Sequence, residues 1–253
     1  TVRGEVTQRR GSFDSGTYLG AGRLADLTAL VNSDPENTVV LVDHEISPSQ
    51  ARNLEKESGA AEVLDRTAVI LEIFHRHAHS RQARMQVEMV RLVYMAPRLR
   101  ETRKGAGDRV RGGIGGKGAG ESAMELDRRK IRDRVAELQR DIDALAVERR
   151  TQRARRQTMR RVALCGYTNA GKSTLFHALT QSEVYIADKL FATLDTTVRV
   201  LQPEARPKVL VSDTVGFIRN LPTKLVEAFK STLEEALEAS LILHVVDAAD
   251  PAW

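Results

Sequence analysis

One stretch constrains this chain more than any other: Gly166-Tyr167-Thr168-Asn169-Ala170-Gly171-Lys172-Ser173-Thr174. An apolar run, Val162 to Cys165, leads into it, and a helical pattern, Leu175 to Leu179, leads away. Strand, glycine loop, Lys-Ser and helix, in that order, make a phosphate-binding P-loop. Gly166 and Gly171 let the backbone turn tightly with no side chain in the way. Successive N–H groups then converge into a nest for phosphate oxygens. The following helix turns its positive end toward the same anion. Lys172 supplies charge for the β- and γ-phosphates. The Ser173 hydroxyl is placed to ligate Mg²⁺, a hard cation that takes oxygen.

The residues after the P-loop fit a triphosphate switch. Ser182 to Arg199 is polar and rich in threonine, and contains Phe191-Ala192-Thr193-Leu194-Asp195-Thr196-Thr197. A GTPase closes one threonine of such a segment onto Mg²⁺ and the γ-phosphate. By spacing, Thr193, Thr196 and Thr197 are all candidates. Val209-Leu210-Val211 reads as a buried strand ending at Asp213-Thr214-Val215-Gly216. An aspartate in that place holds the metal through water, and Gly216 can offer its N–H to the γ-phosphate. The next residue, Phe217, stands where Ras-type enzymes carry a water-orienting glutamine. A phenyl ring has no donor or acceptor, so hydrolysis is expected to be slow without help. Asn169 is a candidate ligand for a monovalent cation such as K⁺; the alternative is a turn-stabilising side chain.

Leu241 to Val246 reads as a further strand ending at Asp247, with no N-K-x-D after it before Trp253. From Val162 onward the chain is shorter than the ~100–150 residues of a typical domain. The expectation is a P-loop domain truncated on its C-terminal side, part of a longer protein. The choice between guanine and adenine stays open.

The remaining residues of the 253-residue chain suffice for a second domain. Over 1–66, short strands and helices alternate, which implies a small α/β unit. Gly4 to Gln8 and Thr38 to Val42 read as strands, Ala21 to Val31 as a helix, and Ala61 to Leu64 as a strand before Asp65. Ser47-Pro48 reads as an N-cap and first helical residue. Over 67–160 the pattern becomes long and helical. A first helix starts at Thr67, carries Val87, Val90 and Tyr94, and is limited by Pro97. A second, from about Ser122 to Met159, has a coiled-coil seam at Ile131, Val135, Leu138, Ile142 and Leu145. Two such helices should pair as an antiparallel hairpin. His75, His77 and His79 fall in the first helix but lack a convincing third metal ligand, so they read as ordinary imidazoles.

Charge separates this middle segment from the rest. Arg98 to Arg161 holds 20 Lys and Arg against 10 Asp and Glu, a net of +10 in a chain whose total is +5. Such a local excess points to a polyanionic partner. The hairpin's glycine-rich loop, 105–120, carries Arg109, Arg111 and Lys117, a flexible cationic tip suited to close approach to RNA. Its Gly113-Ile114-Gly115-Gly116-Lys117-Gly118 follows no buried strand and is not a dinucleotide loop. The single cysteine, Cys165, excludes an internal disulfide and reads as a small core residue. No apolar run is long enough to span a membrane, and no secretory leader is visible.

The motifs taken together resemble the HflX family of ribosome-associated GTPases, on the Obg–HflX branch. The matching stretches are Leu64-Asp65-Arg66-Thr67, Gln86-Val87-Glu88, Gly112-Gly113-Ile114-Gly115, Gly118-Ala119-Gly120-Glu121 and Glu125-Leu126-Asp127-Arg128-Arg129. In the nucleotide domain they are Gly166 to Thr174, Phe191 to Asp195 and Asp213 to Phe217. The resemblance implies an N-terminal α/β domain with a helical arm, then a GTPase domain over 161–253. It implies GTP hydrolysis to GDP with Mg²⁺, binding to the large ribosomal subunit, and an arm reaching ribosomal RNA near the peptidyl transferase region. Splitting or rescuing stalled ribosomes in the cytoplasm is the implied task. On that pattern Lys172, Thr193 and Gly216 are catalytic; Ser173, Thr193 and Asp213 serve the metal, Asp213 through water; and Asn169 matches an asparagine of cation-dependent relatives. Two other functions fit the residues alone: an RNA-binding module in which nucleotide is only regulatory, and an ATP-driven RNA remodeller.

Overall fold

A computed structural model describes residues 1–9, 12–106, 117–154, 159–182, 190–219, 221–222, 225–226 and 235–249, with backbone alone for 99–106, 117–124 and 149–154. The chain divides into two compact units, Thr1–Ile70 with Tyr94–Leu126, and Leu71–Val93 with Asp127–Trp253.

In the first unit, β1 (Val39–Val42) and β2 (Glu62–Asp65) pair in parallel, with Val42 opposite Asp65. Helices α1 (Ala21–Val31) and α2 (Pro48–Ser58) supply Leu27, Val31, Ala51 and Leu54 to a core shared with Ile46 and Val63. The start of α2 is the expected one: Ser47 and Gln50 form a reciprocal capping box, with Pro48 in the first turn. Gly4 to Gln8 does not form the expected strand. Side chains hold this segment instead of a backbone ladder: Arg3 pairs with Asp34, Val6 packs on the core, and Gln8 accepts from the Gly20 N–H.

The single helix expected from Thr67 to Pro97 is two. Helix α3 (Arg66–His77) stops, and α4 (Arg81–Ala106) begins after Ala78-His79-Ser80. Ser80 is the reason: its hydroxyl accepts from the Ala83 N–H at 3.0 Å, the bond of an N-cap. His79 therefore lies in the break, not on the helix. Pro97 does not limit α4, which runs through it. An interior proline loses a helical hydrogen bond and costs about 3 kcal/mol. Tyr94 and Arg98, on either side of it, both bind the buried Asp65 and hold the helix there.

Helix α5 (Lys117–Ala154) starts inside the stretch read as loop, and α4 reaches into its other end. Residues 107–116, with Arg109 and Arg111, lie outside the described residues. The hairpin is antiparallel within the second unit: Arg134 binds Glu88 at 2.8 Å and Arg81 approaches Asp141. Leu138, Ile142 and Leu145 line the seam, as expected, but their partners are Met85, Met89 and Leu92. Val87, Val90 and Tyr94 are buried outside that cluster, so α4 has more than one apolar face.

The nucleotide domain has β3 (Arg160–Gly166), α6 (Lys172–Thr180), β4 (Thr197–Val200), β5 (Val209–Asp213) and β6 (Leu241–Val245). The sheet order is β4-β5-β3-β6; β5 and β6 flank β3 in parallel, and β4 runs antiparallel to β5. Leu164, Phe176 and Val211 form the core between sheet and helix. Leu164 pairs with Asp213, so the P-loop and the Asp213 loop leave the same end of adjacent strands. Ligands of open α/β sheets bind at that end. Among the described residues no helix is long and apolar enough to cross a membrane.

Candidate functional site

The P-loop geometry follows from its two glycines. Gly166 has φ +150° where β3 ends beside β6; a Cβ there would lie 2.2 Å from the Val245 carbonyl oxygen. Gly171 takes φ +89° directly before α6, and Asn169 takes φ +61°. Helix α6 then opens with Lys172, which is buried. Its Nζ donates to the Tyr167 carbonyl at 2.6 Å, folding the side chain back over the loop. Burial pushes the Lys172 ammonium below its ordinary pKa, against the opposing charge of Asp213.

Three oxygen-bearing side chains converge beside it from three segments. Ser173 Oγ, on α6, donates to Asp213 Oδ2 at 2.7 Å. Thr193 Oγ1 lies 2.9 Å from Ser173 Oγ and donates to Asp213 Oδ2 at 3.2 Å. Asp213 is fully buried at the end of β5, and its Oδ1 has no hydrogen-bond partner among the described residues. Burial pushes this carboxyl above the usual carboxylate range, although bonds from Ser173 and Thr193 and the charge of Lys172 pull it down. An orphaned buried carboxylate oxygen next to two hydroxyls is a donor set for a hard divalent cation. The residues present fit Mg²⁺.

Of the three candidate threonines, Thr193 alone has a hydroxyl bonded to Ser173 and Asp213. Thr197 is committed to the β4–β5 ladder opposite Asp213, and Thr196 precedes it. Phe191 is almost wholly buried at 1% exposure, with φ +55°, and its N–H donates to Thr168 Oγ1 at 2.8 Å. Thr214 Oγ1 donates to the Leu164 carbonyl and so faces the sheet. Gly216 sits against the P-loop: an added Cβ would meet the Thr168 Cα at 2.5 Å and Lys172 Nζ at 2.8 Å. The Phe217 N–H donates to the Gly166 carbonyl, and the Thr168 N–H donates to that of Phe217 at 2.7 Å. Tyr167 is exposed, with its hydroxyl accepting from the Arg219 N–H.

One cleft thus brings together Thr168, Asn169, Gly171, Lys172, Ser173 and Thr174 of the P-loop, Phe191 to Thr193, and Thr214 and Gly216. Other expected site residues lie apart from it. Leu194 and Val215 are buried as packing groups. Asp195 faces Ser80, accepting from its N–H at 3.2 Å and from its hydroxyl. Lys117 lies at the start of α5, where backbone alone is described. Ser80 and Phe74 are neighbours of the switch segment that sequence reasoning missed. Phe74 meets Phe191 edge to face, with ring centroids 4.6 Å apart. No local signal could reveal them, since Ser80 and Asp195 are 115 positions apart.

Three family models match in succession: a GTP-binding GTPase N-terminal region over residues 1–75, a GTP-binding GTPase middle region over 77–156, and a 50S ribosome-binding GTPase over 161–252. The chain is 53% identical to the GTPase HflX of Gluconacetobacter diazotrophicus, over all of its own length and 62% of that protein. The chain belongs to the HflX GTPase family. It is also 46% identical to the GTPase HflX of Alkalihalophilus pseudofirmus, again along its whole length, over 59% of that protein. It therefore spans about three-fifths of these HflX relatives. Among solved structures, the SsGBP–GDP complex is 26% identical, with a TM-score of 0.50, covering 96% of this chain and 64% of that one. The chain has the fold expected from the sequence, a mixed α/β chain with helices ahead of a P-loop GTPase domain.

Proposed function

We propose that this chain is the nucleotide-driven part of a Mg²⁺-dependent GTPase that binds the large ribosomal subunit through its basic helical arm and splits or rescues stalled ribosomes. The observation that carries the nucleotide half is the meeting of Ser173, Thr193 and Asp213, with Oδ1 of Asp213 unpartnered among the described residues, beside Lys172. Lys172 and the P-loop N–H groups bind the triphosphate, and Gly216 and Thr193 orient its γ-end. Ser173 and Thr193 would hold the cation directly and Asp213 through water. When bound, Mg²⁺ neutralises charge that develops on the phosphate oxygens. GTP closes the Thr193 and Gly216 segments, and that order favours the ribosome-engaged conformation. Hydrolysis then resets the protein. Asn169, whose backbone is left-handed, would be the residue to hold K⁺ near the phosphates. The family match to ribosome-binding GTPases and the net charge of +10 over Arg98 to Arg161 support RNA of the large subunit as the arm's partner, in the cytoplasm.

Phe217 supports a low basal rate, since it cannot orient water. GTP turnover is therefore expected to be slow alone and to rise on addition of large subunits, measured as phosphate release. Lys172→Ala should lower the stimulated rate roughly 100-fold, the scale for losing one charge-stabilising donor. Ribosome splitting that survives unchanged in Lys172→Ala would replace this reading with that of an RNA-binding module in which nucleotide is dispensable.

A further inference from the structure

Thr193 is bracketed. Two residues before it, Phe191 is buried against the edge of Phe74, both rings at 1% exposure. Two residues after it, Asp195 places both carboxylate oxygens on Ser80, one on the backbone N–H and one on the hydroxyl. Phe74 lies on α3 and Ser80 caps α4, so both brackets land on the break between those helices. All four residues belong to one compact unit.

The pairing at Ser80 does more than fill space. Its hydroxyl accepts from the Ala83 N–H while donating to Asp195, and its carbonyl accepts from the Arg84 N–H at 3.1 Å. The Asp195 carboxylate thus sits at the positive end of a 26-residue helix, where negative charge is favoured. Switch segment and helix start share one hydrogen-bond network. At the other bracket, Phe191 holds a left-handed φ of 55°, unusual for a residue with a bulky side chain, and its N–H is tied to Thr168 of the P-loop. A segment pinned at both ends has little freedom between them. The Thr193 hydroxyl in the middle is thereby held within hydrogen-bond distance of Ser173 and Asp213.

We propose that Ser80 and Asp195 are positioning residues for the nucleotide reaction: their pair holds Thr193 at the cation site and couples nucleotide occupancy to the first turn of α4, the helix that leads into the basic arm. This rests on the GTPase reading above and adds to it the residues through which the two ends communicate. Coupling of this kind is reciprocal. If a triphosphate that engages Thr193 favours the paired state, then a partner that binds better to the paired start of α4 raises triphosphate affinity by the same factor by which triphosphate raises its own. Asp195 binds Ser80 and is not among the residues that line the P-loop cleft; it acts through Thr193.

The test uses the full chain with Ser80→Ala, Asp195→Asn and the double variant. Affinities are measured with Mg²⁺ for a non-hydrolysable GTP analogue and for GDP. Amide exchange is followed at Gln82, Ala83 and Arg84 with and without the analogue. Each single variant should weaken analogue binding about fivefold or more, at the lower end of ordinary coupling factors, and more than it weakens GDP binding. The double variant should lose no more than the weaker-binding single. Analogue should slow exchange at the three amides in the unaltered chain and not in the variants. Ser80→Thr keeps the hydroxyl and should restore all three readouts. Equal losses for both nucleotides, additive losses, or exchange that ignores the analogue would overturn the coupling and leave a local packing role. An unaltered chain that binds no GTP analogue brings down the GTPase reading and this one with it. A chain that binds it and is stimulated by large subunits, with variants that behave as wild type, brings down this one alone.

Discussion

Gly166 and Gly171 both have positive φ, yet different physics holds them as glycine. Around Gly171 an added Cβ meets nothing within 4 Å, so Gly171→Ala would suffer only the conformational strain of a side chain at φ +89°. That strain is about 1–2 kcal/mol. At Gly166 the added carbon would come within 2.2 Å of the Val245 carbonyl oxygen, a backbone atom of the adjacent strand β6. Relief requires β3 and β6 to separate, and backbone cannot swing aside as a side chain does. Gly166→Ala should therefore destabilise the nucleotide domain by more than Gly171→Ala, roughly 3 kcal/mol or beyond. Urea unfolding of the two variants measures the order. If Gly171→Ala were the worse of the two, the close approach of β6 would not be what fixes Gly166.

At the scale of elements, the end of β2 and the middle of α4 are held by one buried carboxylate. Asp65 accepts from Tyr94 Oη, from Arg98 Nη2 at 2.7 Å, and from the Ala68 N–H at 2.8 Å, where it caps α3. The Arg98 guanidinium also lies over the Tyr94 ring, 3.8 Å from its centroid. Burial, then Asp65, pushes the Tyr94 hydroxyl above its ordinary pKa, so it remains a donor. Removing one partner of a buried pair strands the other and costs about 3–5 kcal/mol. Asp65→Ala should fall in that range by chemical denaturation, and Asp65→Asn, which keeps an acceptor, should cost less; equal costs would mean that the charge is what matters. This knot also shows what sequence could not say. The matching motif Leu64-Asp65-Arg66-Thr67 was visible, but its partners are 29 and 33 positions away. Without them Pro97 reads as a stop, because local propensity opposes an interior proline and only tertiary anchoring overrides it. The helix break was hidden for the opposite reason. The apolar pattern of α3 runs on into that of α4, and Ser80 is an N-cap whose second role, binding Asp195, is not local. The P-loop, the strand ending at Asp213 and the capping box at Ser47 were legible because each is written in a few consecutive residues. Among the candidate threonines, spacing could not rank three residues within five positions; a hydroxyl distance could.

At the scale of the whole molecule, charge and chemistry are segregated along the chain. The nucleotide cleft draws on residues from Thr168 to Gly216, whereas the excess of 20 basic over 10 acidic residues lies between Arg98 and Arg161. If the arm meets ribosomal RNA, its contribution is electrostatic and must appear in the salt dependence of binding. Each RNA phosphate that a variant no longer neutralises should reduce the slope of log affinity against log salt by about 0.7–0.9. Replacing Arg109, Arg111 and Lys117 together by alanine should therefore flatten the slope by about 2–3 and weaken large-subunit binding most at low salt. Nucleotide affinity of the free chain should stay as it was, because the described cleft is built from residues between Thr168 and Gly216. The measurement is binding to isolated large subunits across a salt series, with nucleotide titration of the same preparation as its control. An unchanged slope would remove the tip from the RNA interface and shift attention to the helix faces behind it. A parallel fall in nucleotide affinity of the free chain would mean instead that the three substitutions had disturbed the fold, which charge segregation along the chain argues against.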